Sequence, residues 1–157
     1  MKRTRLGLAA FLCALTVTLT ACAQNTAVSS GAVSDSEVSE SSADSLWEDA
    51  LYAEDTEIGE GAHSVLIEVK AGDKSVTLTL HSDKDNLADI LTENKIAEGD
   101  DSEYGLYIKK VNGILADFDV DGSYWGLFKD GEMTSTGASG ITISDGEHYE
   151  LVYTPAA

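Results

Sequence analysis

Between His63 and His81 the chain alternates apolar and polar residues twice over, and no other feature constrains its fold as much. Val65, Ile67 and Val69 alternate with Leu66, Glu68 and Lys70. Val76, Leu78 and Leu80 alternate with Thr77, Thr79 and His81. Ala71-Gly72-Asp73-Lys74 lies between the two runs. A period of two sets every second side chain on one face of a strand. Two such runs joined by a glycine-containing turn predict a β-hairpin with an apolar face that something must cover.

The cover follows at once. Leu87, Ala88, Ile90 and Leu91 form a helical apolar stripe. Ser82-x-x-Asp85 ahead of it has the form of a capping box, with Asp in place of Glu or Gln. Asp83, Asp85 and Asp89 favour the positive end of the helix dipole. The helix is expected to stop near Asn94, which tolerates the left-handed conformation of a cap. Residues 97–105 are expected to be a polar loop.

Strand signals resume at residues 106–111, and Asn112-Gly113 is a strong turn dipeptide. Residues 124–128 make an aromatic strand, which Asp130-Gly131 turns back into residues 133–135. Residues 141–143, the Asp145-Gly146 turn and residues 149–153 predict a last hairpin. Hairpin, helix, then more strands predicts an α+β fold: a β-grasp-like sheet packed on a single helix, with an α+β sandwich of another topology as the alternative.

Charge and composition divide the rest of the chain. The formal net charge is -18. Such acidity argues against a nucleic-acid partner, because phosphate contacts need clustered Lys and Arg. Both arginines, Arg3 and Arg5, lie at the extreme N-terminus beside Lys2. An apolar run over residues 6–19 follows, too short for a stable membrane span but suited to a signal peptide. It ends in Leu19-Thr20-Ala21-Cys22. This resembles the bacterial lipobox, which implies a signal peptide over residues 1–21, diacylglycerol on Cys22 and an extracytoplasmic protein anchored to the cell membrane by acyl chains. An ordinary secretory signal with a chance cysteine is the alternative.

Residues 22–45 are expected to be a disordered tether. Eight of residues 23–45 are Ser and none is basic or aromatic, so the stretch cannot bury enough surface to offset its chain entropy. A flexible chain of that length spans roughly 25–30 Å. Residues 46–157 then make the folded domain, with residues 46–61 docking on it through Trp47 and Tyr52. From residue 62 the chain carries 18 acids against seven lysines, net -11.

The candidate sites are few. Tyr104, Tyr107, Tyr124 and Trp125 could present flat faces to a planar or sugar-like ligand, although Trp125 could equally pack under the helix. Asp117, Asp119 and Asp121, with Gly122, match the start of a D-x-D-x-D-G calcium loop. The twelfth position is Phe128 instead of the bidentate Glu such a loop needs, so a solvated turn is the expected role. His63, His81 and His148 are not in zinc spacing. No nucleophile elbow, catalytic triad pattern or phosphate loop is present, so no catalytic residue and no cofactor is expected.

Trp47 to Gly61, the hairpin and helix, Tyr104-Gly105-Leu106-Tyr107, Val111-Asn112-Gly113, Asp121-Gly122-Ser123-Tyr124-Trp125 and Asp130-Gly131-Glu132, together with the closing segment to Tyr153, resemble a DUF4430 domain over residues 47–154. That family is related to the C-terminal β-domain of transcobalamin and intrinsic factor, a soluble-ligand-binding β-grasp module. Family members often have Gly where this chain has Lys95. The resemblance implies a binding module for cobalamin or another corrinoid. Transcobalamin holds its ligand between this domain and a helical one, so a corrinoid site here would need a second protein, or the ligand is something else. A surface module for protein–protein interaction or adhesion is the alternative.

Overall fold

The computed structural model describes residues 45–156. The expected signal peptide, the expected lipidation site at Cys22 and the expected tether up to residue 44 lie outside the described residues. Among the described residues nine strands form two sheets. The larger contains β1 (Thr56–Gly59), β2 (His63–Ala71), β3 (Lys74–Ser82), β7 (Tyr124–Lys129), β8 (Glu132–Met133) and β9 (Glu147–Thr154), in the order β1-β3-β2-β9-β7-β8. The smaller contains β4 (Ala97–Ser102), β5 (Gly105–Val111) and β6 (Ile114–Leu115).

β2 and β3 pair antiparallel from His63↔Ser82 to Ala71↔Lys74, the register that the two alternations require. Val65, Ile67, Val69, Val76, Leu78 and Leu80 are buried on one face. Each full burial of such a side chain is worth about 1.5–3 kcal/mol. β9 lies between β2 and β7, parallel to the first and antiparallel to the second. A parallel pair at the centre of a mixed sheet, with one helix entered from the first hairpin, is a β-grasp arrangement.

That helix, α1 (Leu87–Glu93), buries Leu87, Ala88, Ile90 and Leu91. Its start differs from the expected capping box. Asn86 is the N-cap, and its side chain accepts from the Ala88 and Asp89 backbone N–H groups. Ser82 is occupied elsewhere: its hydroxyl donates to Glu93 at 2.6 Å and accepts from the Lys84 N–H at 3.0 Å. The left-handed residue at the other end is Lys95, at φ 58°, one position beyond Asn94 at φ -81°. Ile96 N–H reaches Leu91 O and Lys95 N–H reaches Thr92 O, the two bonds of a Schellman motif.

Two further expectations change. Residues 97–102 are a strand, β4, instead of a loop. Residues 141–143 make only one isolated bridge, Asn86↔Thr142, so no last hairpin forms. Their backbone serves the helix start: Leu87 N–H donates to Ile141 O and Ile143 N–H to Asp85 O.

The N-terminal segment packs on the same core. Trp47 is buried, and its indole N–H donates to Ala71 O at 2.9 Å. Asn112 is fully buried and joins this segment to the β5–β6 turn, with both its backbone and its side chain bonded.

Candidate functional site: an aromatic groove between β5 and β7

The groove is assembled from three segments held by side-chain bonds. Leu106 N–H, at the start of β5, donates to Ser139 Oγ at 2.9 Å. Asn86 Nδ2 donates to Ser139 O at 3.0 Å, so the helix cap positions the same residue. Ser139 lies in a short 3-10 turn, Ala138–Gly140. The segment leading to it is pinned where Thr134 N–H donates to Leu127 O at 3.0 Å and Thr134 Oγ1 to Thr136 O at 2.8 Å. The third segment is a single helical turn, Phe118–Asp121.

These segments and β7 enclose a groove of about 450 Å³. Tyr107, Phe118, Tyr124, Trp125, Leu127 and Met133 line it, and none of its lining residues is charged. Tyr107, Phe118, Tyr124 and Met133 all stay solvent-exposed. Trp125 does not: it is only 8 % exposed, and its ring stands edge-on to Tyr153 with centroids 5.7 Å apart. Its indole Nε1–H is buried and has no hydrogen-bond partner. A donor stranded this way costs about 1–3 kcal/mol. The contrast with Trp47, whose indole N–H is paired, is direct.

The structure therefore brings Tyr107, Tyr124 and Trp125 to one groove. Tyr104 is not among the lining residues; it stands 85 % exposed in the turn between β4 and β5. Phe118 and Met133 were not singled out in the sequence. Phe118 sits inside the acidic run that suggested a cation loop, and Met133 follows a β-turn.

The three aspartates serve the helical turn. Asp117 Oδ1 accepts from Asp119 N–H at 3.0 Å as the N-cap. Asp121 accepts from both the N–H and the hydroxyl of Ser123, and the hydroxyl bond above all holds its carboxyl below the usual carboxylate range. Among the described residues no group of three or more His, Cys, Asp or Glu is gathered for a metal.

Across the segment of residues 133–136 lies a second, more polar cleft of about 530 Å³, lined in part by Lys129, Asp130, Glu132 and Tyr149. Beside it Glu147 accepts from Lys129 Nζ at 2.6 Å, Ser144 N–H at 2.9 Å and Tyr149 OH at 2.7 Å. The Lys129 bond is the main cause that lowers the Glu147 pKa to about 2. Burial, then the bond to Glu147, raises Tyr149 to about 12.

Residues 84–154 match DUF4430, a domain of unknown function. The match runs from just before α1 to the end of β9 and leaves out the β2–β3 hairpin, so it is narrower than the resemblance over residues 47–154. A crystal structure from Ruminococcus gnavus ATCC 29149, named as a "putative metal binding protein", is 28% identical with a TM-score of 0.56, over 61% of this chain and 100% of that one. Haptocorrin in complex with Cbi is 20% identical with a TM-score of 0.49, over 60% of this chain and 25% of haptocorrin. The likeness thus spans a quarter of haptocorrin's length. No protein of curated function matches the chain.

Proposed function

We propose that this chain is a binding module, anchored at the bacterial cell surface by a lipid on Cys22, whose aromatic groove takes a soluble ligand. The observation that carries this reading is an uncharged groove, walled in part by the buried Trp125, that keeps four large apolar side chains exposed. An open, uncharged groove lined by several aromatic side chains is arranged for binding. Its lining has no carboxylate, imidazole or thiol to carry acid–base or nucleophilic chemistry. A corrinoid such as cobalamin, with or without a partner protein, is the specific candidate that the family resemblance supports.

Calorimetric and absorbance titration of the purified protein with cobalamin and cobinamide tests the proposal. Tyr124→Ala and Phe118→Ala are each expected to weaken binding by roughly tenfold, from the loss of an exposed aromatic surface in the groove. No heat or spectral change at high micromolar ligand removes the corrinoid candidate. A ligand that binds the unaltered protein and both variants equally well places the site elsewhere. Loss of palmitate-analogue labelling in Cys22→Ala is the expected result for the anchor, and labelling that persists refutes it.

A further inference from the structure

Two kinds of accessible surface meet in the groove. Tyr107, Phe118 and Tyr124 leave aromatic surface exposed in its lining. Residues 134–137, which belong to no strand or helix, supply the rest of the contrast. The Thr134 hydroxyl is committed to Leu127 O at 3.2 Å and Thr136 O at 2.8 Å. The next two hydroxyls are not. Ser135 and Thr136 are exposed, and neither hydroxyl bonds to another described residue. The same holds for the Ser135 backbone N–H and C=O, and for the phenol groups of Tyr107 and Tyr124. Each of these four hydroxyls can both donate and accept.

The chemistry of the lining narrows the occupant. An anion meets no basic group there, on a domain that carries net -11 from residue 62 onward. A cation meets no carboxylate there. A wholly apolar molecule would take the hydroxyls out of water and replace none of their bonds. A pyranose ring has both of the surfaces required. Its C–H groups settle against aromatic rings, whose faces are negative. Its rim hydroxyls donate and accept, as the four protein hydroxyls do. A volume of about 450 Å³ falls in the range of small-molecule sites.

We infer that the groove binds an uncharged oligosaccharide: sugar rings lie against Tyr107, Phe118 and Tyr124, and their hydroxyls bond to Ser135, Thr136 and the tyrosine phenols. The inference rests on the groove being the binding site and does not involve the corrinoid candidate.

Maltotriose, cellotriose and triacetylchitotriose serve as neutral probes, and trigalacturonate as the anionic one. Each is titrated into the ¹⁵N-labelled full-length protein. At least one neutral probe is expected to shift the amide resonances of Ser135, Thr136 and Gly137 saturably at millimolar concentration, and trigalacturonate is expected to leave them in place. Phe118→Ala, at an exposed position, is expected to weaken that binding about tenfold. The double variant Ser135→Ala, Thr136→Val is expected to weaken it roughly three- to tenfold. Tyr104→Ala removes an exposed ring outside the lining and is expected to change nothing. No shift by any neutral probe at tens of millimolar, equal binding of trigalacturonate, or an affinity that survives both groove substitutions overturns the sugar inference. Cobinamide as a further titrant separates that failure from failure of the groove. If it moves the same amides, the groove stands as a binding site without the sugar; amides unmoved by every titrant overturn both.

Discussion

Asn112 offers the most direct test of how this fold holds its N-terminal segment. The residue is fully buried at φ 51°, in the left-handed region. All four of its polar groups are bonded. Its backbone N–H donates to Ile96 O at 2.8 Å, and its backbone C=O accepts from Leu51 N–H at 2.9 Å. Its side-chain Oδ1 accepts from Tyr52 N–H at 2.9 Å, and Nδ2 donates to Tyr52 O at 2.7 Å. The side chain thus treats Tyr52 as a neighbouring strand would. Gly113 completes the clamp: at φ 85°, a Cβ there would overlap the Asp49 carbonyl.

Asn112→Gly keeps the backbone conformation and removes only the two side-chain bonds. At about 1 kcal/mol net each, plus part of the cost of stranding two half-buried groups on Tyr52, the loss is about 2–4 kcal/mol. Asn112→Ala suffers the same loss and adds the left-handed cost of about 1–2 kcal/mol. Asn112→Asp keeps the acceptor but turns a carboxylate oxygen on Tyr52 O. Burial and that carbonyl favour the protonated form, so its folded pKa lies above its unfolded one. The Asp variant should therefore regain stability as the pH falls from that raised folded pKa to the unfolded carboxylate value, as the acid becomes able to donate. Urea melts give the stabilities, with a shifted midpoint at constant slope. Emission from Trp47, in the same segment, reports whether that segment loosens first. Asn112→Gly within about 0.5 kcal/mol of the unaltered protein, or indistinguishable from Asn112→Ala, would refute the clamp.

Two other substitutions probe the sites flanking the groove and the helix. The Glu147 carboxyl, displaced from 4.5 to about 2, would be worth roughly 3 kcal/mol at 1.36 kcal/mol per unit. Because its side chain is 23% exposed, solvent screening reduces this to roughly 1–2 kcal/mol. This stability is present above the unfolded pKa and is lost as the pH falls through the folded value. Glu147→Gln is thus expected to be destabilised at neutral pH and to match the unaltered protein near pH 2 in urea melts. A gap that stays constant down to that pH would exclude an ionic origin. Lys95→Gly relieves a left-handed residue, worth about 1–2 kcal/mol, against about 0.4–1 kcal/mol of unfolded-state entropy. A net gain of roughly 0.5–1 kcal/mol in the same melts is expected, and any loss would show that the Lys95 side chain contributes a contact of its own.

What the amino-acid order reveals here follows from how local each pairing is. β2 and β3 were legible because two intervening residues and a strict alternation leave them one register. α1 was legible from its stripe, but its start was not, since Ser82, Asp83 and Asn86 are all cap residues and only the packing of Ser82 against Glu93 decides among them. β4 was hidden because five of its six residues are exposed and polar. It is a strand through its pairing with β5, and the register shift at Gly99 accommodates a position where a Cβ would overlap the Tyr107 carbonyl. Residues 141–143 look like a strand and are not one, because their backbone groups bind the helix start. β9 found its partner in β2, more than 70 residues earlier, and no local pattern encodes such a pairing.

The same distinction explains why the groove lies where it does. The core is held by ladders and by apolar faces that match along their whole length. The groove walls hang instead from single side chains: Ser139 on Leu106, Thr134 on Thr136, and Asp121 on Ser123. Each such bond contributes about 1 kcal/mol, so these walls can shift without disturbing the sheet. β7, which contributes Trp125, and β5, which contributes Leu106 to Ile108, are wall elements with ladders of their own. A ligand in the groove would therefore join walls of low local stability to strands fixed by their ladders. Binding would tighten the loops while the register of the sheet stayed unchanged, the division of labour expected of a rigid scaffold carrying its site on loops.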